Sequence, residues 1–219
     1  MTKDWRKKIM KTKGLLVVIS GFSGAGKGSL IRELRKRYDN YRLSVSATTR
    51  QPRTVDIPGE TYFFLTRDEF EKMISGNGFL EYAQYNNNYY GTPRAYVEQQ
   101  LQEGRDVLLE IEVQGAMKVR EQFPDAMLIF IVPPSAEILE KRLTGRGTET
   151  EEQVRARLRL AVEESRKMPE YDYIVINDDL GKACEELHTL IDGQHRRYAL
   201  NREFAEQLQE DLYRRFKEE

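Results

Sequence analysis

A glycine-rich segment, Gly21-Phe-Ser-Gly-Ala-Gly-Lys-Gly-Ser29, constrains the fold of this 219-residue chain more than any other feature. It matches the pattern Gly-x-x-x-x-Gly-Lys. The apolar residues 15–19 directly before it predict a buried strand, and residues 29–38 predict a helix. A loop in this position can wrap its backbone N–H groups around a phosphate, and the helix N-terminus adds a positive dipole end. The segment therefore predicts an α/β fold that binds a phosphate group.

Strand-like and helix-like segments alternate along much of the chain. Residues 106–111, 127–132 and 173–176 are short, almost continuously apolar and rich in β-branched side chains, as expected of parallel strands covered on both faces. The helix-like stretches between the strands are residues 94–103, 115–122 and 136–143. A short strand at 43–46 would complete the sheet. We therefore expect a P-loop NTPase core, with a five-stranded parallel sheet flanked by helices.

Two regions interrupt this alternation. Residues 50–88 are rich in aromatic and polar side chains, and they predict a small insertion with antiparallel strands at 61–65 and 79–85 and a helix at 67–74. Residues 142–166 are dense in Arg and Glu and predict a mobile helical flap.

The C-terminal part, residues 181–219, predicts charged helices with a break near Gly193. We expect three parts, which are a basic extension at 1–13, a domain at 14–200 and a charged helical tail at 201–219.

Composition narrows the classes of function. The 35 basic and 36 acidic side chains nearly cancel, so the chain lacks the basic excess typical of nucleic-acid-binding proteins. The single cysteine, Cys184, excludes an internal disulfide and a Cys-rich metal site. The basic N-terminus has no signal-peptide apolar run, and residues 15–19 are too few to cross a bilayer. We expect a cytoplasmic protein that binds neither nucleic acid nor membrane.

The glycine-rich segment also predicts the nucleotide. Lys27 is expected to bridge the β- and γ-phosphates of ATP as charge moves between them. Gly28 stands where Ser or Thr usually follows the lysine, so we assign to Ser29 the hydroxyl that helps to hold Mg²⁺. The candidate ATP-binding residues of the loop are Gly21, Phe22, Ser23, Gly24, Ala25, Gly26, Lys27, Gly28 and Ser29.

Beyond the loop, an ordered series of motifs resembles the guanylate kinase family from about residue 14 to residue 187. The motifs are Ser44-Val-Ser-Ala-Thr-Thr-Arg-Gln-Pro-Arg53, Gly59-Glu-Thr-Tyr-Phe-Phe64, Phe79-Leu-Glu-Tyr-Ala83, Asn88-Tyr-Tyr-Gly-Thr92 and Leu109-Glu-Ile-Glu-Val-Gln-Gly115. The resemblance implies an enzyme that moves the γ-phosphate of ATP onto GMP, with Mg²⁺ accompanying ATP. It also implies a small mixed GMP-binding insertion, at about 43–92, and a helical lid, at about 142–166.

The resemblance further implies which residues hold GMP. Paired guanidinium groups can grip a monophosphate through bidentate bonds, and tyrosine hydroxyls add donors without charge. The phosphate-binding residues so implied are Arg50, Arg53, Tyr62 and Tyr90. Glu81 would accept from the N1–H and exocyclic amine of guanine, with help from Ser46 and Thr92. Glu112 occupies a position where the family often has Asp, and it would contact guanine as well.

For the lid, the resemblance implies that three arginines contact the phosphates of ATP and the phosphoryl group in transfer. They are Arg142, Arg146 and Arg157. It also places Asn177 near the adenine. An alternative is a solvated helix with Glu–Arg pairs at helical spacing, such as Glu151 with Arg155. Asn177 could equally cap the next helix.

Two rival functions stay open at this point. Guanylate-kinase-like modules that bind protein partners without catalysis exist, although the intact phosphate loop argues for an enzyme. A kinase for another nucleoside monophosphate is the second rival, and the Arg–Tyr–Glu set argues against it. The oligomeric state and the use of dGMP in place of GMP also stay open.

Overall fold

The computed structural model describes residues 13–54, 56–59, 61–85, 87–145 and 150–217. Within these ranges the chain forms nine β-strands and eight α-helices. The strands are β1 Leu16–Gly21, β2 Tyr41–Leu43, β3 Ser46–Thr48, β4 Tyr62–Phe64, β5 Phe79–Tyr85, β6 Asn88–Pro93, β7 Asp106–Glu110, β8 Met127–Val132 and β9 Tyr173–Ile176. The helices are α1 Lys27–Arg37, α2 Arg67–Ser75, α3 Arg94–Gln102, α4 Val113–Gln122, α5 Ala136–Thr144, α6 Glu151–Ser165, α7 Leu180–Gln194 and α8 Arg202–Phe216.

The main sheet has five parallel strands in the order β2-β7-β1-β8-β9, which confirms the predicted core. Its central strand, β1, ends at the glycine-rich loop. The fifth strand is Tyr41–Leu43, so the predicted position 43–46 was wrong. The chain leaves this sheet directly after Leu43, and Ser46 already belongs to a second sheet.

Alternating side chains of β1 build a separate core layer on each face of the main sheet. Val17 and Ile19 pack with helices α1 and α7, whereas Leu16 and Val18 pack with α3 and α4. All four are almost fully buried. Each side chain of this kind stabilises the fold by about 1.5–3 kcal/mol relative to an exposed one. The two layers therefore fix β1, and with it the start of the loop.

The second sheet has the order β4-β3-β6-β5. Its β5–β6 pair and β3–β6 pair are antiparallel, as predicted for the insertion, but β3 and β4 run parallel. Helix α2 begins with a capping box between Thr66 and Glu69, and it buries Phe70 against Phe79 and Tyr89. The strands β3 and β6 were not predicted, because their polar and glycine-containing sequences carry no clear apolar alternation.

The segment predicted to be a lid, at about 142–166, comprises the end of α5 and the whole of α6, and residues 146–149 between them lie outside the described ranges. Helix α7 ends at Gln194, one residue past Gly193, and α8 begins at Arg202, so the break predicted near Gly193 is confirmed. Buried Ile191 and Gln194 hold this last turn against the body, which offsets the roughly 1 kcal/mol that a helical glycine costs. In the part of the chain that the structure describes, no helix has the length and apolar character needed to span a membrane.

Candidate active site

The glycine-rich loop forms a cradle between β1 and α1. Gly24 and Gly26 have φ values of 92° and 90°, a region that side chains other than glycine rarely adopt. A Cβ at Gly26 would lie 2.4 Å from Nδ2 of Asn177, so there is no room for a larger residue. Gly26 is also the N-cap of α1, and no side chain caps the helix there. The first-turn N–H groups are therefore directed at the cradle, where an anion can accept from them.

Lys27 lies over the rim of this cradle. Its Nζ donates to the carbonyl oxygen of Gly21 at 2.5 Å and to that of Phe22 at 3.2 Å. A phosphate in the cradle offers charged acceptors to the same ammonium group, and hydrogen bonds of that kind are shorter and stronger. A cavity of about 290 Å³ opens above the loop, lined by residues 22–24 and 26–29 together with Arg32 and Glu110.

Helix α6 contacts the loop directly, and α5 is connected to it through Asn177. Arg157 of α6 donates to Oγ of Ser23 at 2.8 Å, and Arg142 of α5 donates to the backbone oxygen of Asn177 at 2.8 Å. The buried side chain of Asn177 in turn donates to the carbonyl oxygen of Ala25 at 2.8 Å. Two of the three predicted lid arginines thus belong to one network with the loop. The third, Arg146, lies outside the described residues.

A second group of predicted residues lies on and beside the second sheet. The guanidinium of Arg50 forms an ion pair with Asp56, with 2.9 Å between Nη1 and Oδ2. The same carboxylate accepts from the backbone N–H of Arg53 at 2.6 Å, whereas the Arg53 side chain is exposed. The hydrogen bond from Arg50 is the main cause that lowers the pKa of Asp56. Asp56 therefore holds the turn that carries both arginines.

Two tyrosines flank Arg50. Its guanidinium carbon lies 5.3 Å from the ring centroid of Tyr62 and 5.7 Å from that of Phe64, within range of cation–π attraction. The rings of Tyr62 and Tyr90 lie edge to face, 6.1 Å apart. Arg50, which follows β3, thus lies beside Tyr62 of β4, and Tyr62 lies beside Tyr90 of β6, so the structure brings these three predicted residues together.

The carboxylate of Glu81, on β5, accepts from the hydroxyl of Thr92 at 2.7 Å. Burial raises the pKa of Glu81, and the charge of nearby Glu112 adds to the rise, while the Thr92 hydrogen bond and Lys118 oppose it. Thr92 also lines a cavity of about 140 Å³ together with Ser46, Tyr62 and Glu110. The structure therefore brings Glu81, Thr92 and Ser46 to one side of the second sheet, beside the carboxyl end of β7.

Two carboxylates in this region were missed in the sequence. Glu110 is the last residue of β7, and its Oε1 lies 3.5 Å from the point where a Cβ of Gly28 would be. It lines both the loop cavity and the cavity beside Ser46. Its position at the carboxyl end of a parallel strand next to β1 was the available signal. Glu164 of α6 is partly buried, and burial raises its pKa while the charge of Lys27 lowers it.

Comparisons with known proteins agree with this geometry. The family model described as Guanylate kinase matches residues 13–194. A guanylate kinase from Caldanaerobacter subterraneus is 45% identical over 210 residues, which cover 96% of this chain and 98% of that protein. One from Bacillus subtilis is 48% identical over 187 residues, covering 85% and 92%. The crystal structure of guanylate kinase from Anaplasma phagocytophilum superposes with a TM-score of 0.71 at 29% identity, covering 96% of this chain and 99% of that one.

Proposed function

The chain belongs to the guanylate kinase family and is an ATP:GMP phosphotransferase, and from this premise we propose which residues perform each part of the reaction. An oxygen of the GMP phosphate attacks the γ-phosphorus of ATP, the bond to the β-phosphate oxygen breaks, and GDP and ADP leave. The observation that carries the assignment is that Glu110 lines both the cavity of the phosphate loop and the cavity beside the second sheet. The two substrate sites thus adjoin.

On the ATP side, the loop N–H groups hold the phosphates and Lys27 follows the charge that develops between the β- and γ-phosphates. Glu110 and Ser29 line the loop cavity and offer a carboxylate and a hydroxyl, and Mg²⁺ prefers one or two carboxylates together with substrate phosphates and water. Arg32 donates to the Ser29 Oγ at 3.1 Å and would have to release that oxygen when Mg²⁺ binds. When bound, Mg²⁺ neutralises phosphate charge. Asn177 donates to the carbonyl oxygen of Ala25 and so holds the loop in place. Its role toward adenine would therefore be to position the loop beside the base.

On the GMP side, Arg50 and Arg53 bind the monophosphate and the hydroxyls of Tyr62 and Tyr90 complete its shell. Glu81 accepts from the two neighbouring donors of guanine, N1–H and the exocyclic amine, and Ser46, Thr92 and Glu112 hydrogen bond around the same base. Adenine has neither an N1–H nor an amine at C2, so both of these hydrogen bonds to Glu81 would be lost. A site built in this way rejects the wrong base by a large factor.

The lid arginines complete the mechanism. Arg142 and Arg157 are already joined to the loop region, and Arg146 belongs to the same segment in sequence. A cationic lid that closes over both substrates positions them, neutralises the group in transfer and excludes water. Because the nucleophile is an ionised phosphate oxygen, the reaction needs no general base.

The acceptor assignment is tested by ADP release from ATP–Mg²⁺ with GMP, dGMP, AMP, CMP, UMP and dTMP supplied separately. We expect turnover with GMP, with dGMP as the only other candidate acceptor. Comparable turnover with AMP or a pyrimidine nucleotide would overturn the guanine-reading role of Glu81. No turnover by the folded protein with any of them would favour a non-catalytic binding module.

Asp56→Asn is expected to raise KM for GMP about tenfold, or roughly 1.4 kcal/mol, because Arg50 loses the charge that orients it. Since ATP binds at a different loop, KM for ATP should stay within about twofold. Steady-state kinetics measure both constants. Asp68→Asn, an exposed change on α2, is the matched control. An unchanged KM for GMP would show that Asp56 does not orient the phosphate grip.

Glu110→Gln is expected to raise the Mg²⁺ concentration for half-maximal activity by about tenfold, because an amide is a weaker ligand for a hard cation than a carboxylate. A titration of Mg²⁺ at fixed total ATP measures the effect. Glu103→Gln, at the end of α3, serves as the control. A loss of activity that does not depend on the Mg²⁺ concentration would contradict this role.

A further inference from the structure

The last helix, α8, carries an apolar face that nothing in the described part of the chain covers. Leu208, Leu212 and Phe216 are 47%, 50% and 78% exposed, and Phe204 is 36% exposed. At 100° per residue these four side chains lie within a sector of about 120°, which is the width of a face that normally packs on a core. None of the residues of α8 is buried.

A helix of this kind is marginal in water without a partner. Isolated helices of about 12–15 residues are barely stable, and most helical stability in proteins comes from packing an amphipathic face. Among the described elements, α8 packs extensively only against the short 3-10 turn Tyr198–Asn201 that precedes it. Residues 195–217 also lie beyond the family match, which ends at residue 194. The exposed face thus lies C-terminal to the residues that the family model matches.

The charges of α8 indicate what covers this face. Residues 202–211 contain one arginine and four carboxylates, for a net charge of −3, whereas residues 212–217 contain three cations, for a net charge of +3. Glu218 and Glu219 reduce the charge of residues 212–219 to +1, which is still opposite in sign to that of residues 202–211. The four carboxylates are Glu203, Glu206, Glu210 and Asp211, and the three cations are Arg214, Arg215 and Lys217. Two such helices side by side repel each other when parallel and attract each other when antiparallel.

We propose that α8 pairs in antiparallel fashion with α8 of a second copy of this chain, so that the enzyme self-associates through its C-terminal helix. With the two-fold axis near residue 210, Phe204 lies opposite Phe216 of the second copy, and Leu208 lies opposite Leu212. The same patch serves both copies, as a two-fold interface requires. Because a helix of 15 residues is only about 22 Å long, the interface is small and the dimer is weak.

Sedimentation equilibrium of the full chain, from about 1 to 200 µM, tests the proposal. We expect a reversible monomer–dimer equilibrium. Leu208→Ser combined with Leu212→Ser should raise the dissociation constant by at least about tenfold, without loss of phosphotransferase activity per chain. A monomer at every concentration would overturn the proposal, as would a dimer that this variant leaves intact.

Charge reversal tests the antiparallel orientation. One variant, Glu206→Lys with Glu210→Lys, changes the first half of α8 from −3 to +1, and the other, Arg214→Glu with Arg215→Glu, changes the second half from +3 to −1. Each variant alone should be monomeric, whereas an equimolar mixture should form a heterodimer, because each half then meets its opposite. A parallel pair would instead be strengthened by the first variant alone, since the repulsion between its acidic halves would fall, and that result would overturn the orientation.

A different site on the body is the main competitor for this helix. An apolar groove of about 750 Å³ lies between α5, α6 and β9 and includes exposed Val162 and Ile176. Val162→Ser combined with Ile176→Ser is the matched control, and it should leave the dissociation constant unchanged. A loss of the dimer in this variant as large as in the Leu208 and Leu212 variant would show that α8 docks in the groove and would overturn the helix pair.

Discussion

Lys27→Ala is expected to lower kcat by about 10³-fold. The Nζ of Lys27 is the one loop cation that lies within hydrogen-bond distance of the cradle rim, at 2.5 Å from the carbonyl oxygen of Gly21. In the reaction the ammonium follows charge that moves from the γ-phosphate to the β-phosphate, so its removal costs more in the transition state than in the ground state. Steady-state kinetics at saturating ATP and GMP measure the loss.

The control for this prediction is Lys36→Ala, which removes an exposed ammonium group from the same helix and should leave kcat unchanged. The thermal unfolding midpoint of the Lys27 variant should stay close to that of the unchanged protein, because Lys27 is only half-buried and belongs to none of the apolar core clusters of the described residues. A variant that retains more than about a tenth of the activity would show that the loop does not act through Lys27.

Glu81→Gln is expected to lower kcat/KM for GMP by about 10³-fold, while KM for ATP changes little. A glutamine presents one acceptor and one donor to an edge of guanine that consists of two donors. The carboxylate of Glu81 is held by Thr92 at 2.7 Å, so it cannot turn away without the loss of that bond. The measurement is a comparison of kcat/KM for GMP and for ATP, with Glu98→Gln, an exposed change on α3, as the control.

Loss of selectivity is the signature that distinguishes this role from a structural one. Glu81→Gln should reduce the ratio of kcat/KM for GMP to kcat/KM for AMP, because guanine loses hydrogen bonds to this carboxylate that adenine does not make. Equal losses with both nucleotides would indicate a damaged sheet, and unchanged kinetics with GMP would remove the basis for guanine selectivity.

The titration of Glu81 adds a pH dependence. Burial raises its pKa, so the native protein keeps the proton to a higher pH than a glutamate of about 4.3 would. Only the ionised carboxylate accepts from both guanine donors. As the pH is lowered, kcat/KM for GMP should therefore begin to fall at a higher pH than the titration of an ordinary glutamate would give. The same raised pKa means that the free energy of unfolding decreases as the pH rises through this window. The Glu81→Gln variant should not show this decrease of kcat/KM at low pH. A decrease that persists in the variant would assign the titration to another group.

The sequence was sufficient for four strands of the main sheet because they are nearly continuous apolar runs that only a sheet covered on both faces can bury. The fifth, β2, is three residues long and contains an arginine, so its position was missed. The glycine-rich loop was equally clear, since its spacing depends on backbone conformations that the glycines at 24 and 26 now display. The second sheet was only half predicted. Strand β3, Ser46–Thr48, is three residues long and takes its conformation from its neighbours β4 and β6 instead of from its own pattern.

Residues that position other side chains of the site were harder to predict from the sequence than residues that are expected to contact the substrates. Asp56 is a single acidic residue in a polar segment, and nothing in the spacing separates it from a solvated side chain. For Glu110 the one available signal was its position at the carboxyl end of a predicted parallel strand. Their roles depend on distances across the fold, from Asp56 to Arg50 and from Glu110 to the loop at Gly28. The same is true of Asn177, whose amide reaches Ala25 across 152 positions of sequence.

The most direct test of the central claim follows the phosphate itself. ATP labelled with ³²P at the γ-position is incubated with GMP and Mg²⁺, and the nucleotides are separated by chromatography. Transfer between adjoining sites under a closed lid predicts that the label appears in GDP, in a one-to-one ratio with ADP, and that almost none appears as inorganic phosphate. Label released mainly as inorganic phosphate, or retained in ATP by the folded protein, would contradict the assignment of this chain as an ATP:GMP phosphotransferase.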